Sequence, residues 1–159
     1  MSTREARERL AEAQAALARA LAQGTPVPPG FDAERVHEAA RSLLAKRRRS
    51  VERTWPRLAA ALGDSFRARF DAWARENPMA LETSALADGG RFAQALLTVS
   101  PFPEDAREEL LAFELRYRLT EQGLVARRGF TLRTSRLGAS RVLAARLPGG
   151  RVLRLRLPF

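Results

Sequence analysis

Few residue types in this chain could do chemistry. It has no cysteine, and His37 is the only histidine among its 159 residues. Without cysteine there is no thiolate nucleophile, disulfide, iron–sulfur cluster or thiolate metal site. A Ser-His-Asp arrangement would have to use His37, and no Gly-x-Ser-x-Gly turn is there to present the serine. Glu34-x-x-His37 has the spacing of one half of a carboxylate di-iron motif on a helix. The other half needs a second histidine, so the pair reads as plain helix surface. The chain is therefore expected to hold no metal or other cofactor and to catalyse nothing alone.

Charge is the second resource. The formal net charge is +10, and its placement matters more than its size. From Gly123 to Phe159 there are nine arginines and no acid, which leaves 19 basic and 18 acidic side chains in residues 1–122. An anionic partner should meet the C-terminal segment first. Arg133, Arg141, Arg146, Arg151, Arg154 and Arg156 are the candidate peptide- or anion-binding residues. The alternation of Leu and Arg there indicates ordered sheet. It reads either as a binding surface or as an exposed sheet whose edge charges discourage association. Lys46-Arg47-Arg48-Arg49 is a weaker candidate, because four consecutive helical residues point around most of the helix and make no single stripe. A solvated, partly salt-bridged surface is the favoured reading there.

The elements that must position these residues follow from period and punctuation. Leu10, Leu17 and Leu21 mark a helix over 3–22, closed by Gly24 and the proline-rich stretch 25–30. Asp32 opens a long second helix with Val36, Ala40, Leu43, Leu44 and Val51 on one side. Thr54-Trp55-Pro56 predicts a break and restart, with Thr54 as cap and Pro56 in the first turn. Asp64 caps the next helix, which carries Phe66, Phe70 and Trp73 and stops at Asn77-Pro78. A short helix is expected from Asp88 or Gly89 to Leu97. Trp55, Phe66, Phe70, Trp73 and Phe92 are predicted core residues, each stabilising by roughly 2–3 kcal/mol if buried.

Ser100-Pro101-Phe102-Pro103 is the clearest boundary, and a helix over 104–121 follows, with Glu104 and Asp105 at the positive end of its dipole. The period then changes to two. Strands are expected around Phe130–Arg133, at 141–147 and at 151–157, with Pro148-Gly149-Gly150 as a hairpin turn. The last strand places Leu153, Leu155 and Leu157 on one face and Val152, Arg154 and Arg156 on the other. The leucine face is expected to pack on the 104–121 helix. The arginine face is expected to meet the ligand. No apolar run is long enough for a membrane span or a signal peptide, so the expected location is the cytoplasm, without membrane contact.

The order of motifs adds a resemblance. Leu10-x-x-x-Gln14, Pro29-Gly30-Phe31-Asp32-Ala33-Glu34-Arg35, Trp55-Pro56, Leu62-Gly63-Asp64-Ser65-Phe66, Asn77-Pro78 and Leu86-Ala87-Asp88-Gly89-Gly90-Arg91-Phe92 follow one another along the chain. In that order they resemble the N-terminal domain, named for a DNA-binding role, of accessory C-subunits in methanobactin-type and bufferin-type peptide biosynthesis. Residues 105–117 are similar to the helix that begins the second domain of those subunits. Asn77 stands where the family has histidine, and the second domain here is far shorter, as in a short, actinobacterial-type branch. The resemblance implies an accessory subunit that pairs with a TIM-barrel, iron-dependent oxidase and helps bind the leader of its ribosomally made precursor peptide. The iron ligands would then belong to the partner.

The resulting expectation is an α+β fold: a helical domain at 1–98, able to fold alone, then a helix and a small Arg-rich antiparallel sheet at 101–159. The expected function is a non-catalytic, leader-peptide-binding accessory protein. The alternative is a nucleic-acid-binding protein using the same basic segment. With only Phe130 and Phe159 as aromatics there, a base-stacking platform is poor.

Overall fold

Helices come first and strands last, in a computed structural model that describes residues 3–78, 84–98 and 101–158. The elements are α1 (Thr3–Gln23), α2 (Ala33–Thr54), α3 (Pro56–Leu62), α4 (Ser65–Glu76), α5 (Ala85–Leu97) and α6 (Glu104–Arg116). The strands are β1 (Tyr117–Thr120), β2 (Gly123–Ala126), β3 (Thr131–Leu137), β4 (Ser140–Arg146) and β5 (Val152–Pro158). β1 and β2 form one antiparallel hairpin, and β3-β4-β5 form a separate antiparallel sheet in that order. The fold is α+β, as the change of period indicated.

The chain divides into two compact units, residues 1–49 with 67–81 and residues 50–66 with 82–159. This is not a division at 98–101. Ser100, in the expected boundary, and Phe159 lie outside the described residues.

In the first unit the basic run is used for packing. Arg48 Nη1 donates to both carboxylate oxygens of Asp71, at 2.7 and 2.6 Å, with the two side chains only 14% and 16% exposed. Arg47 lies over the rings of Phe70 and Trp73, at 5.9 and 5.3 Å. Its Nη1 also donates to the carbonyls of Asn77 (2.9 Å) and Ala74 (3.4 Å), where a cation suits the negative end of α4. Two of the four basic residues thus hold α2 to α4. Leu10, which marks the first helix by its spacing, and Leu43, on the apolar side of the second, are exposed.

The second unit is organised around Trp55. Its side chain is 1% exposed, its Nε1–H donates to the Leu86 carbonyl at 3.2 Å, and its ring lies 5.1 Å from that of Phe113. Thr54 is not the cap: its hydroxyl donates to the Ser50 carbonyl, within α2. Pro56 does occupy the first turn of α3. The free amides of that turn are met from α6, where Glu109 accepts from the N–H groups of Leu58 (2.8 Å) and Arg57 (3.4 Å). A cut between α5 and α6 would separate Trp55 from Phe113 and α3 from its carboxylate.

α5 begins at Ala85, earlier than its glycines suggested, because Ser84 caps it by accepting from Ala87 N–H at 3.2 Å. Gly89 and Gly90 are interior residues placed for contact. A Cβ on Gly89 would overlap the Trp55 indole, and one on Gly90 would stand 2.8 Å from the Phe113 ring. α6 ends at Arg116 instead of continuing to 121. Tyr117 is already extended, with φ −132° and ψ 158°, and starts β1.

Gly89→Ala is expected to destabilise. The gain in helix propensity, about 1 kcal/mol, is outweighed by overpacking of roughly 1–3 kcal/mol or more against an indole held by the Leu86 carbonyl and the Phe113 ring. Thermal melting followed by tryptophan fluorescence checks this, and an unchanged or raised midpoint would contradict it.

Candidate functional site

α6 decides the two faces of the β3-β4-β5 sheet. Leu111 and Leu115, four residues apart and so on one side of the helix, pack against Leu137, Val142 and Ala144, with Val152 at the margin. Directly opposed residues share a face, so register extends this inner face to Arg133, Arg146, Arg154 and Arg156: Arg133 pairs with Ala144, Ala144 with Arg154, Val142 with Arg156 and Arg146 with Val152. The expected packing is therefore inverted. Leu153, Leu155 and Leu157 point away from α6 and are exposed. The physical reason is size: the small pair Val142 and Ala144 lets a helix approach, and the arginines at that face's edges reach past it.

The six candidate arginines do not converge. Arg154 and Arg156 stand two apart on β5, and Arg156 Nη2 donates to Glu104 Oε1 at 3.3 Å. Both of those side chains are largely exposed, so the pair adds little stability. Arg146 is structural: its Nη1 donates to the backbone carbonyls of Arg127 (3.0 Å) and Gly129 (3.5 Å), fastening the end of β4 to the β2–β3 connection. Arg133 is half-buried and donates to the Leu132 carbonyl at 3.1 Å. Arg141 is on the outer face, and Arg151 lies in the hairpin connection before β5. Crowding of cations shows at Arg127, whose pKa is lowered by burial first and then by Arg133 and Arg118, against the pull of Glu114. Arg127 Nε still donates to the Tyr117 carbonyl at 3.0 Å.

β5 is an edge strand. Leu147 N–H donates to the Arg151 carbonyl at 2.8 Å, and the same register pairs Ala145 with Leu153, Leu143 with Leu155 and Arg141 with Leu157. Hydrogen-bonded residues alternate along an antiparallel ladder, so Leu153, Leu155 and Leu157 bond to β4. The N–H and C=O groups of Val152, Arg154 and Arg156 then point to the open side. Pro158 belongs to that outward set and has no N–H, which suits an edge. Below this edge Arg154 lines a cleft of about 340 Å3, with Trp55, Arg57, Glu108, Phe113 and Tyr117 among the other walls. Arg57 Nη1 donates to Glu108 Oε2 at 3.0 Å across it.

What can such an arrangement do? It offers an unpaired strand edge, cations on one side of it, leucines on the other, and an aromatic-walled cleft beneath. An unpaired strand edge can accept backbone hydrogen bonds from an extended chain.

The SCO6045-like C-terminal domain family matches residues 11–98, more than half of the chain. The chain belongs to that family. The match to the SCO6045-like domain spans most of α1 and all of α2 to α5, while the β3-β4-β5 sheet lies beyond it. A protein of Streptomyces avermitilis described as a UPF0276 protein is 45% identical over 101 residues, which is 64% of this chain. The chain covers 20% of that relative's length. No solved structure matches. Glu34 and His37 of this SCO6045-like domain lie exposed on α2, and no helix among the described residues is long and apolar enough to cross a membrane.

Sequence reasoning missed Glu104 and Glu109 as partners, and Trp55 and Tyr117 as cleft walls. Tyr117 carried a signal, since Tyr117-x-Leu119 begins a period-two run. The roles of the arginines also separate. Arg146→Ala is expected to lower stability by roughly 1–3 kcal/mol, the loss of charge-assisted bonds to backbone carbonyls. Arg151→Ala should stay within about 0.5 kcal/mol. Urea denaturation of the two variants compares them, and equal losses would contradict the assignment.

Proposed function

We propose that the chain is a non-catalytic accessory protein that holds an extended peptide on the open edge of β5 for a partner enzyme. The observation that carries this reading is the edge itself: outward N–H and C=O groups at Val152, Arg154 and Arg156, with two of those residues bringing guanidinium groups beside it. A peptide strand added there would form backbone hydrogen bonds without regard to sequence. Its alternate side chains would supply the selectivity. Those on the α6 side of the sheet meet Arg154 and Arg156 above the cleft, which favours carboxylates. Those on the other side lie beside Leu153, Leu155 and Leu157, which favours apolar residues. The peptide is therefore one that alternates acidic and apolar residues.

The resemblance to accessory subunits of methanobactin-type and bufferin-type biosynthesis supports the finer reading. In it the partner is a TIM-barrel, iron-dependent oxidase and the peptide is the leader of its ribosomally made precursor. The S. avermitilis relative supports the accessory role more generally, because the matched region there is one fifth of a longer protein and stands beside other polypeptide.

A fluorescently labelled peptide of alternating Glu and Leu is expected to bind the full chain, and a scrambled peptide of the same composition to bind at least tenfold more weakly. Arg154→Ala with Arg156→Ala should weaken binding about tenfold or more, each lost charge-assisted bond being worth roughly 1.5–3 kcal/mol, and leave the melting midpoint nearly unchanged. Equal affinity for both peptides, or no effect of the double change, would overturn the edge as the site. Tight duplex DNA binding that survives physiological salt, where counterion release should weaken a purely electrostatic contact, would favour a nucleic-acid ligand instead.

A further inference from the structure

The outer face of the β3-β4-β5 sheet, turned away from α6, has its own composition. Register sets Leu132, Ala145 and Leu153 in one row, Thr134, Leu143 and Leu155 in the next, and Arg136, Arg141 and Leu157 in the third. Leu153 and Leu155 keep 52% and 55% of their surface, Leu132 and Leu157 keep 45% and 44%, and Phe130 just before β3 keeps 61%. Adjoining apolar side chains this exposed mark an interaction surface on a folded protein. One end of the patch is cationic, because Arg136 and Arg141 stand directly opposite each other.

We infer that this face docks the apolar side of an amphipathic helix of a partner protein whose leucine-type stripe is flanked by carboxylates. Three observations select that occupant. The first is shape. Three strands make a face about 10 Å across, and a helix with its side chains is about 10–12 Å thick. The opposite face of the same sheet is already covered in this way by α6. The second is charge. Residues 123–159 contain nine arginines and no acidic side chain, so an acidic flank is complementary and a second copy of the same face is repelled. The third is the backbone. The leucines sit between two sheet edges, β3 and β5. Burial in lipid would carry their unpaired N–H and C=O groups into hydrocarbon, where open edges do not occur. The inference goes beyond peptide binding at the β5 edge and does not depend on it.

The test uses two synthetic 18-residue helical peptides with the same leucine stripe, one flanked by Glu and one by Lys, titrated against the full chain by fluorescence anisotropy. The Glu-flanked peptide is expected to bind at least tenfold more tightly. Leu153→Thr with Leu155→Thr, which puts strand-favouring β-branched residues in place of the leucines, should weaken it at least tenfold. Arg136→Glu with Arg141→Glu should reverse the preference, a readout that stands even if the leucine variant folds poorly. Arg154→Ala with Arg156→Ala should leave helix binding unchanged, so failure here and failure of the β5 reading are told apart. Equal affinity for both peptides, or affinity indifferent to both outer-face variants, overturns the proposal. So does sedimentation of the chain with phosphatidylglycerol vesicles in place of peptide binding, or a dimer in sedimentation velocity that the leucine change dissolves.

Discussion

Leu111 and Leu115 on one side of α6, set against Leu137, Val142 and Ala144, form the contact from which the rest of the second unit takes its meaning. The helix can cover only one face of a three-stranded sheet. By taking the face with small residues at its centre, it leaves the leucine row of β5 outside and brings Arg154 and Arg156 to its own side. The edge, the cleft and the exposed patch all follow from that choice. Burial of these five side chains is an interaction of several kcal/mol at about 25 cal/mol per Å2 of apolar surface.

α6 is in turn held from the other side. The Phe113 ring lies tilted against Trp55, and Glu109 closes the amide end of α3. Gly89 and Gly90 let α5 come close enough to complete the enclosure of the indole and the Phe113 ring. One helix thus belongs to two layers, with Leu111 and Leu115 turned to the sheet and Phe113 to the aromatic cluster. This dual use explains why α6 belongs with α3 and α5 in one compact unit, and why the proline-rich stretch at 101–103 is a connection within that unit and not a boundary between units.

Local signals were legible in the sequence, and choices between equivalent alternatives were not. The helices, the Pro56 restart and the Pro148-Gly149-Gly150 hairpin follow from periodicity and from residues with restricted backbone conformations. The period-two pattern of β5 was equally readable. Which face it buries was not, because Val142 and Ala144 are as apolar as Leu143 and Ala145 and smaller by only one methylene. The end of α6 was misplaced for a related reason: Tyr117 and Leu119 fit a helix or a strand, and pairing with Ala126 and Leu124 decides for the strand. Of the six arginines, charge alone could not distinguish Arg146, which binds backbone carbonyls, from Arg154, which lines the cleft.

The chain has no cysteine, which makes the central claim directly measurable. Ala144→Cys places a thiol at a position that is 0% exposed beneath α6, and Leu155→Cys places one on the outer face at a position 55% exposed. Modification of each variant by a maleimide in native buffer, compared with its rate in denaturant, reads the orientation of the sheet. Leu155→Cys is predicted to react at close to its unfolded rate, and Ala144→Cys to be protected at least tenfold until the unit opens. Protection of Leu155→Cys together with rapid reaction of Ala144→Cys would mean that α6 covers the leucine face, contradicting the account.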